Sequence, residues 1–254
     1  MRKVSLYDFV EEAKAYTPAA ALPTSLLLDS SGQVRTYFAP FEYINTRARV
    51  VLCGITPGFQ QASIALETAG RALREGKSIE SAQASAKATA SFAGAMRSNL
   101  SAMLDHVGVH RKLGIQSAAD LFGARADLVH YTSALRNPVF VDGKNYSGAP
   151  SMLGHPSMRW QIDNYLSEEV VALKDALWIP LGPKVSEVLA HLVRNGIIKE
   201  ARVLDGLPHP SGANAERISV FLDRKDPADV SVKTNANTIL RGRESVLRKV
   251  AALG

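Results

Sequence analysis

Two loops carry residue types that can do chemistry, and each follows a short apolar run. The first is Gly54-Ile55-Thr56-Pro57-Gly58, after Arg49-Val50-Val51-Leu52-Cys53. The second is His209-Pro210-Ser211-Gly212-Ala213-Asn214, after Ala201 to Leu204. A β-branched run cut off by Gly, Thr, Pro and Gly reads as a buried strand feeding a tight loop at the carboxyl end of a sheet. In open α/β sheets such loops hold ligands, because backbone N–H groups face a crevice beside a helix N-terminus. The plainer reading is an ordinary strand-to-helix turn, with His209 bonded to backbone. His106 and His110 are spaced i, i+4 but flank Gly108, with no Glu placed to help, so no metal site is expected. His155-Pro156-Ser157 repeats the tripeptide of the second loop, yet no apolar strand leads into it.

The rest of the composition limits the possibilities. The 254 residues fit one large domain or two small ones, and 46% hydrophobic content is ample for a core. Nothing approaches 18 consecutive apolar residues, and Met1 to Asp8 lacks the apolar region of a signal peptide. Cys53 is the only cysteine, which excludes an intramolecular disulfide and any multi-thiolate cluster. A cytoplasmic monomer without cofactor is expected. The net charge of +6 favours a polyanionic partner.

The elements that must position these loops follow from periodicity. A first amphipathic helix runs from Ser5 to about Tyr16, and Asp29 to Gly32 reads as a turn. The strand Ala48 to Ile55 precedes an Ala-, Glu- and Lys-rich helical hairpin at about 60–90, broken near Gly76 to Ser78. Further helices are expected at Met96 to Val107, Met158 to Lys174 and Lys184 to Asn195, and a basic one at Ile239 to Leu253. Further strands are expected at Leu128 to Leu135, Ala176 to Leu181 and Ala201 to Leu204, with Val139 to Pro150 a loop. Alternating strands and helices predict an α/β fold. The expected form is a three-layer α/β/α sandwich with a central, mostly parallel four-stranded sheet, as a single domain over 1–254.

The two loops, in this order and separation, resemble the two signature motifs of the uracil-DNA glycosylase superfamily: a G-x-x-P-G type loop and an H-P-S or N-P-S loop. Phe92-Ala93-Gly94 with the helix ending at Leu104 to Gly108, and Trp178 to Gly182, resemble further segments in the same order. The likeness spans roughly Val50 to Asn214. It implies a monofunctional DNA glycosylase that flips a nucleotide out of the stack and hydrolyses its N-glycosidic bond. Gly54, Ile55, Pro57, Gly58, Ser133 and Asn137 would then surround the base, and Phe92 would stack on it. His209 would donate to the base carbonyl and stabilise the leaving anion. Ser211, Gly212, Ala213, Asn214 and Arg217 would lie along the DNA strand.

Several positions depart from that pattern. Thr56 stands where most members carry Asp, Asn or Glu to hold the attacking water, and a hydroxyl is a poor general base. Either Thr56 only positions water, or Glu42, Asp127 or Asp142 supplies a carboxylate, or the chain binds DNA without cutting it. Gly58 replaces the Tyr of the most uracil-specific members, and Ser133 stands where a base-reading Asn is expected, with Asn137 four residues on. Both changes point away from strict uracil specificity: the base would be uracil or, rather, a modified one such as a 5-substituted pyrimidine or a deaminated purine, in DNA repair or in defence against modified foreign DNA. A lyase would need a lysine, and none lies in the matched loops. The competing reading is a catalytically silent DNA- or damaged-base-binding module on the same fold. A phosphate-binding loop at Gly54 to Gly58 is a third, though the Lys and Ser/Thr of a P-loop are missing.

Overall fold

The structure, a computed structural model, describes residues 2–90 and 95–253. Phe92, the expected stacking residue, lies outside the described residues. In chain order come α1 (Val10–Ala15), β1 (Leu27–Ser31), β2 (Val34–Tyr37), β3 (Val50–Gly54), α2 (Phe59–Arg74), α3 (Ile79–Ala90), α4 (Ala95–His106) and α5 (Val109–Leu113). There follow β4 (Val129–Ser133), β5 (Val139–Val141), β6 (Lys144–Asn145), α6 (Pro156–Gln161), α7 (Ser167–Ala172), β7 (Leu177–Pro180), α8 (Pro183–Arg194), α9 (Ala215–Phe221) and α10 (Ala236–Ala251). A π-helical turn, Ile162–Leu166, joins α6 to α7. The chain is α/β. It divides into two compact units, one of Met1–Ile44, Gly54–Ser91 and Tyr131–Ala172, the other of Asn45–Cys53, Phe92–His130 and Leu173–Gly254.

The first unit is organised by α2 and α3, which form the hairpin expected at 60–90. One face of it is buried. Ala62, Ala65, Ala69, Ala82 and Ala86 are fully buried, and such small side chains let helix backbones approach closely. Phe9 stacks on Phe38 with ring centroids 4.3 Å apart in the same core. Lys87, buried in α3, donates to the carbonyls of Phe41 and Tyr43, so the Pro-broken aromatic segment is tied to the hairpin. The unit also contains an antiparallel sheet of order β1-β2-β5-β6 that periodicity does not predict. The segment expected as a loop from Val139 is there a hairpin, turning at Asp142 (φ 50°) and Gly143 (φ 73°). Positive φ at both central residues is the tight turn that matches strand twist, and Asp-Gly is a favoured pair for it.

In the second unit β3 and β7 pair in parallel, Val50 opposite Leu177 and Cys53 opposite Pro180. The central sheet has order β4-β3-β7, with three strands rather than the expected four. The residues expected as the fourth strand contribute one parallel bridge, Val203 to Trp178, after a 3-10 turn at Glu200–Arg202. Gly206 (φ 123°) then takes the chain away from the sheet. A Cβ on Gly206 would lie 2.6 Å from the Gly242 carbonyl oxygen, so α10 packs backbone to backbone on this segment. Lys249 of α10 donates to Val203 O at 2.9 Å and to Asp205 at 2.7 Å. Arg243 donates to Phe221 O at 3.2 Å and pairs with Asp223. These two cations of the last helix are structural ties.

Candidate functional site

The second loop leaves the carboxyl edge of the parallel sheet in its unit. Leu204 N–H donates to Trp178 O at 2.8 Å, and five residues later the chain reaches His209. The imidazole is half-buried and rests on Gly182, whose Cβ, if present, would be 3.5 Å from His209 Cδ2. Gly182 sits between β7 and α8 at φ 104°, ψ 164°, a region that is essentially glycine's own. From the far side, Asn99 of α4 donates to Pro210 O at 2.9 Å. Strand end, helix start and α4 thus fix the loop.

Ser211 N–H donates to His209 Nδ1 at 3.3 Å. Nδ1 is therefore the acceptor, and a neutral ring must carry its proton on Nε2. Burial pushes the imidazole below its usual range, which favours that neutral form. Such a ring presents one N–H donor in a fixed direction. The residues after it form a linked turn over Gly212–Asn214. Asn214 Nδ2 donates to Ser211 Oγ at 3.0 Å, and Arg217 donates to Asn214 Oδ1 at 3.1 Å and to Lys233 O at 3.3 Å. Gly212 and Ala213 are exposed at its tip. Ser211, Asn214 and Arg217 form one hydrogen-bonded chain. Next to it, Glu216 accepts from Lys225, Ser231 and Thr234, which holds its carboxyl far below the ordinary range and orders the polar stretch before α10.

In the first unit the loop Gly54 to Gly58 is braced throughout. Gly54 O and Ile55 O accept from Ala134 and Leu135 N–H, and Ser133 Oγ lies 3.5 Å from where a Gly54 Cβ would be. Thr56 is buried, and its hydroxyl donates to Asn137 O at 3.3 Å while accepting from Val139 N–H at 3.2 Å. The geometry thus makes Thr56 a tie between the loop and the start of β5. It has one acceptor lone pair left for anything else. Asn137 is 2% exposed, its N–H donates to Gln161 Oε1 at 2.9 Å, and its side-chain Nδ2 has no partner among the described residues. Pro57 is buried beneath the loop.

The N-terminus of α2 is already occupied by side chains. Gly58 N–H donates to Gln61 Oε1 at 3.1 Å and Phe59 N–H to Asn145 Oδ1 at 2.9 Å. The first two donors a phosphate would use are thereby spent, which argues against a phosphate loop. Asn145 Nδ2 lies 3.2 Å from where a Gly58 Cβ would be, so the space that a larger residue 58 would enter is Asn145's. Nothing in the sequence marks Asn145 or Gln161 as neighbours of this loop, because they sit far along the chain from it. Of the three alternative carboxylates, Glu42 accepts from Leu6 N–H and Gln83, and burial pushes its pKa up. Asp127 pairs with Arg125 at 3.1 Å, which holds it low, and Asp142 forms the β5–β6 turn. Each helical histidine lies near a carboxylate: His106 Nε2 is 3.5 Å from Asp223, and His110 Nδ1 is 3.3 Å from Asp105 without a hydrogen bond.

Over 239 residues the chain is 35% identical to the uncharacterized protein YoxB of Bacillus subtilis (strain 168), covering 91% of this chain and 93% of that protein. The chain belongs to the YoxB family. No family model matches it, and no solved structure does. Among the described residues of this YoxB-family chain, no helix is long and apolar enough to cross a membrane.

Proposed function

We propose that the chain is a monofunctional DNA glycosylase acting on a modified or 5-substituted base, built as a three-layer α/β/α variant of the uracil-DNA glycosylase plan. The observation that carries this reading is His209: a neutral imidazole, with Nδ1 engaged by Ser211 N–H, is left with an Nε2–H donor at the carboxyl edge of a parallel sheet. In glycosidic cleavage the C1′–N bond breaks, its electron pair leaves with the base, and water adds to C1′ with loss of a proton. A donor aimed at the base carbonyl stabilises that departing anion, and a neutral imidazole gives up no charge on desolvation. Repair, or defence against modified foreign DNA, would be the cellular setting.

The test is an alkali-cleavage assay on labelled oligonucleotides carrying uracil, hypoxanthine, xanthine, or 5-hydroxymethyl- and glycosylated pyrimidines, single- and double-stranded. Cleavage of one substrate, reduced about 10²–10³-fold in His209→Ala, is the expected result. A second reading, a silent damaged-base-binding module, is favoured by one observation: the Thr56 hydroxyl is spent on backbone groups. Tight binding to the panel without abasic-site formation would select it.

A further inference from the structure

The antiparallel sheet of the first unit presents a face that the glycosylase reading leaves unused. Its register sets Ser30 opposite Arg35, Arg35 opposite Phe140, and Phe140 opposite Asn145, a row across all four strands. Directly paired residues point to the same face, and residues two apart share it, so Tyr37 joins Arg35 and Phe140 there. Tyr37 and Phe140 meet edge to face, centroids 5.7 Å apart at 80°. With Phe59, the first residue of α2, they line a groove of about 790 Å³. That volume lies within the range of small-ligand sites, about 300–1,000 Å³.

The rim supplies charge. Arg35 and Lys144 are exposed on it, against one carboxylate, Asp142. Arg35 donates to Gly32 O at 3.2 Å, and neither cation is within ion-pair distance of a carboxylate among the described residues. Arg71 and Arg74 on α2 are the other exposed cations of this unit without an ion pair among the described residues, and neither lines the groove. Asn145, which lines the groove, is held in place by its Oδ1 at Phe59 N–H, with its Nδ2 beside Gly58. Aromatic faces between unpaired cations and an amide donor are what an unstacked base and its flanking phosphates require.

We infer that this groove is a binding site for single-stranded DNA, with a base on Tyr37 and Phe59 and phosphates on Arg35 and Lys144. The inference takes DNA as partner from the proposed function but does not need glycosidic cleavage. The groove adjoins the first motif through Phe59, so a strand held there would continue past the nucleotide next to Gly58.

The experiment measures binding of the full chain to a fluorescein-labelled, unmodified oligo(dT) of ten nucleotides by anisotropy, across a salt series. Each phosphate contact contributes about 0.7 to the slope of log affinity against log salt for single strands. Arg35→Gln with Lys144→Gln should lower that slope by about 1.4. Tyr37→Leu should weaken binding roughly 5- to 150-fold, the span of one lost stacking contact. Lys14→Gln with Arg159→Gln removes the same charge from ion pairs elsewhere in the unit and should leave the slope nearly unchanged. Equal slopes in the two double variants, or no binding by wild type at low salt, would overturn the inference. Abasic-site formation on the modified panel is measured in parallel. Groove-dependent binding without it sinks the glycosylase and keeps the groove, and cleavage untouched by the groove variants does the reverse.

Discussion

Thr56→Val separates a structural role for the first motif from a catalytic one. Valine keeps the shape and removes the hydroxyl that bridges Asn137 O and Val139 N–H. Each buried group left without a partner costs about 1–3 kcal/mol. Both bonds are long, at 3.3 and 3.2 Å, so the lower half of that range applies. A buried methyl returns about 0.8 kcal/mol, which leaves a net loss of about 2 kcal/mol. With a urea slope of about 2 kcal/mol/M, the midpoint falls by about 1 M. The amide of Val139 loses its acceptor, so its hydrogen-exchange protection should drop by roughly 30-fold relative to amides of β7. Thr56→Ser, which keeps the oxygen, should restore most of both. Unchanged Val139 protection and an unchanged midpoint in Thr56→Val would refute the tie and return the hydroxyl to a water-holding role.

Two further outcomes follow from the burial of charge. Arg136 donates to Glu169 Oε1 through Nη2 at 2.8 Å and Nε at 3.1 Å, with the glutamate side chain 1% exposed and the guanidinium 4.4 Å from the centre of the Tyr165 ring. Glu169→Ala leaves that cation without its counter-charge and should cost about 3–5 kcal/mol in a thermal or urea melt. A loss below about 1 kcal/mol would mean the pair is wetter than its burial indicates. His209 has its pKa lowered by burial, so near pH 6.5 and just below it the unfolded chain binds the proton that the folded chain refuses. Stability therefore rises with pH through the window between the folded value and about 6.5, and is lost as pH falls through it. That part of the slope should vanish in His209→Gln, and NMR titration of the imidazole should place its midpoint below 6.5; a midpoint above 6.5 would remove the neutral-donor argument.

The legible parts of the fold were those written locally. The run Val50 to Cys53 ends at Gly54 because apolar β-branched residues give way to turn formers, and β3 stops there. The break at Gly76 to Ser78 splits α2 from α3, and Pro183 stands in the first turn of α8, where its missing N–H costs nothing. The antiparallel sheet was not legible. Its strands have between two and five residues, too few for an alternation to register, and β2 pairs with β5 across more than a hundred residues of chain. Of it, the reversal at Gly32 was read in advance, although Asp29 to Ser31, read as part of that turn, belong to β1. The site follows the same division: Thr56 and His209 announce themselves in the sequence. Gln61 caps its own helix at the local capping-box spacing, but Asn145 and Gln161 reach the loop region from far along the chain, and no local pattern identifies a side-chain amide as the cap of a distant helix.

The two His-Pro-Ser tripeptides show why local sequence underdetermines chemistry. At His155 the chain turns directly into α6, with Pro156 at the first helical position and Ser157 Oγ 3.2 Å from His155 Nδ1. A hydroxyl beside Nδ1 can donate or accept, so it fixes neither tautomer. At His209 the partner is a backbone N–H, which can only donate, and the ring is wedged against a glycine that no other residue can readily replace. The same three residues therefore give an undirected imidazole in one place and a directed Nε2–H donor in the other. What differs is the strand bridge at Val203 and the loop that Gly182, Asn99 and Gly206 hold at the sheet edge. Grafting chemistry onto the first copy would require that scaffold, not another residue of the tripeptide.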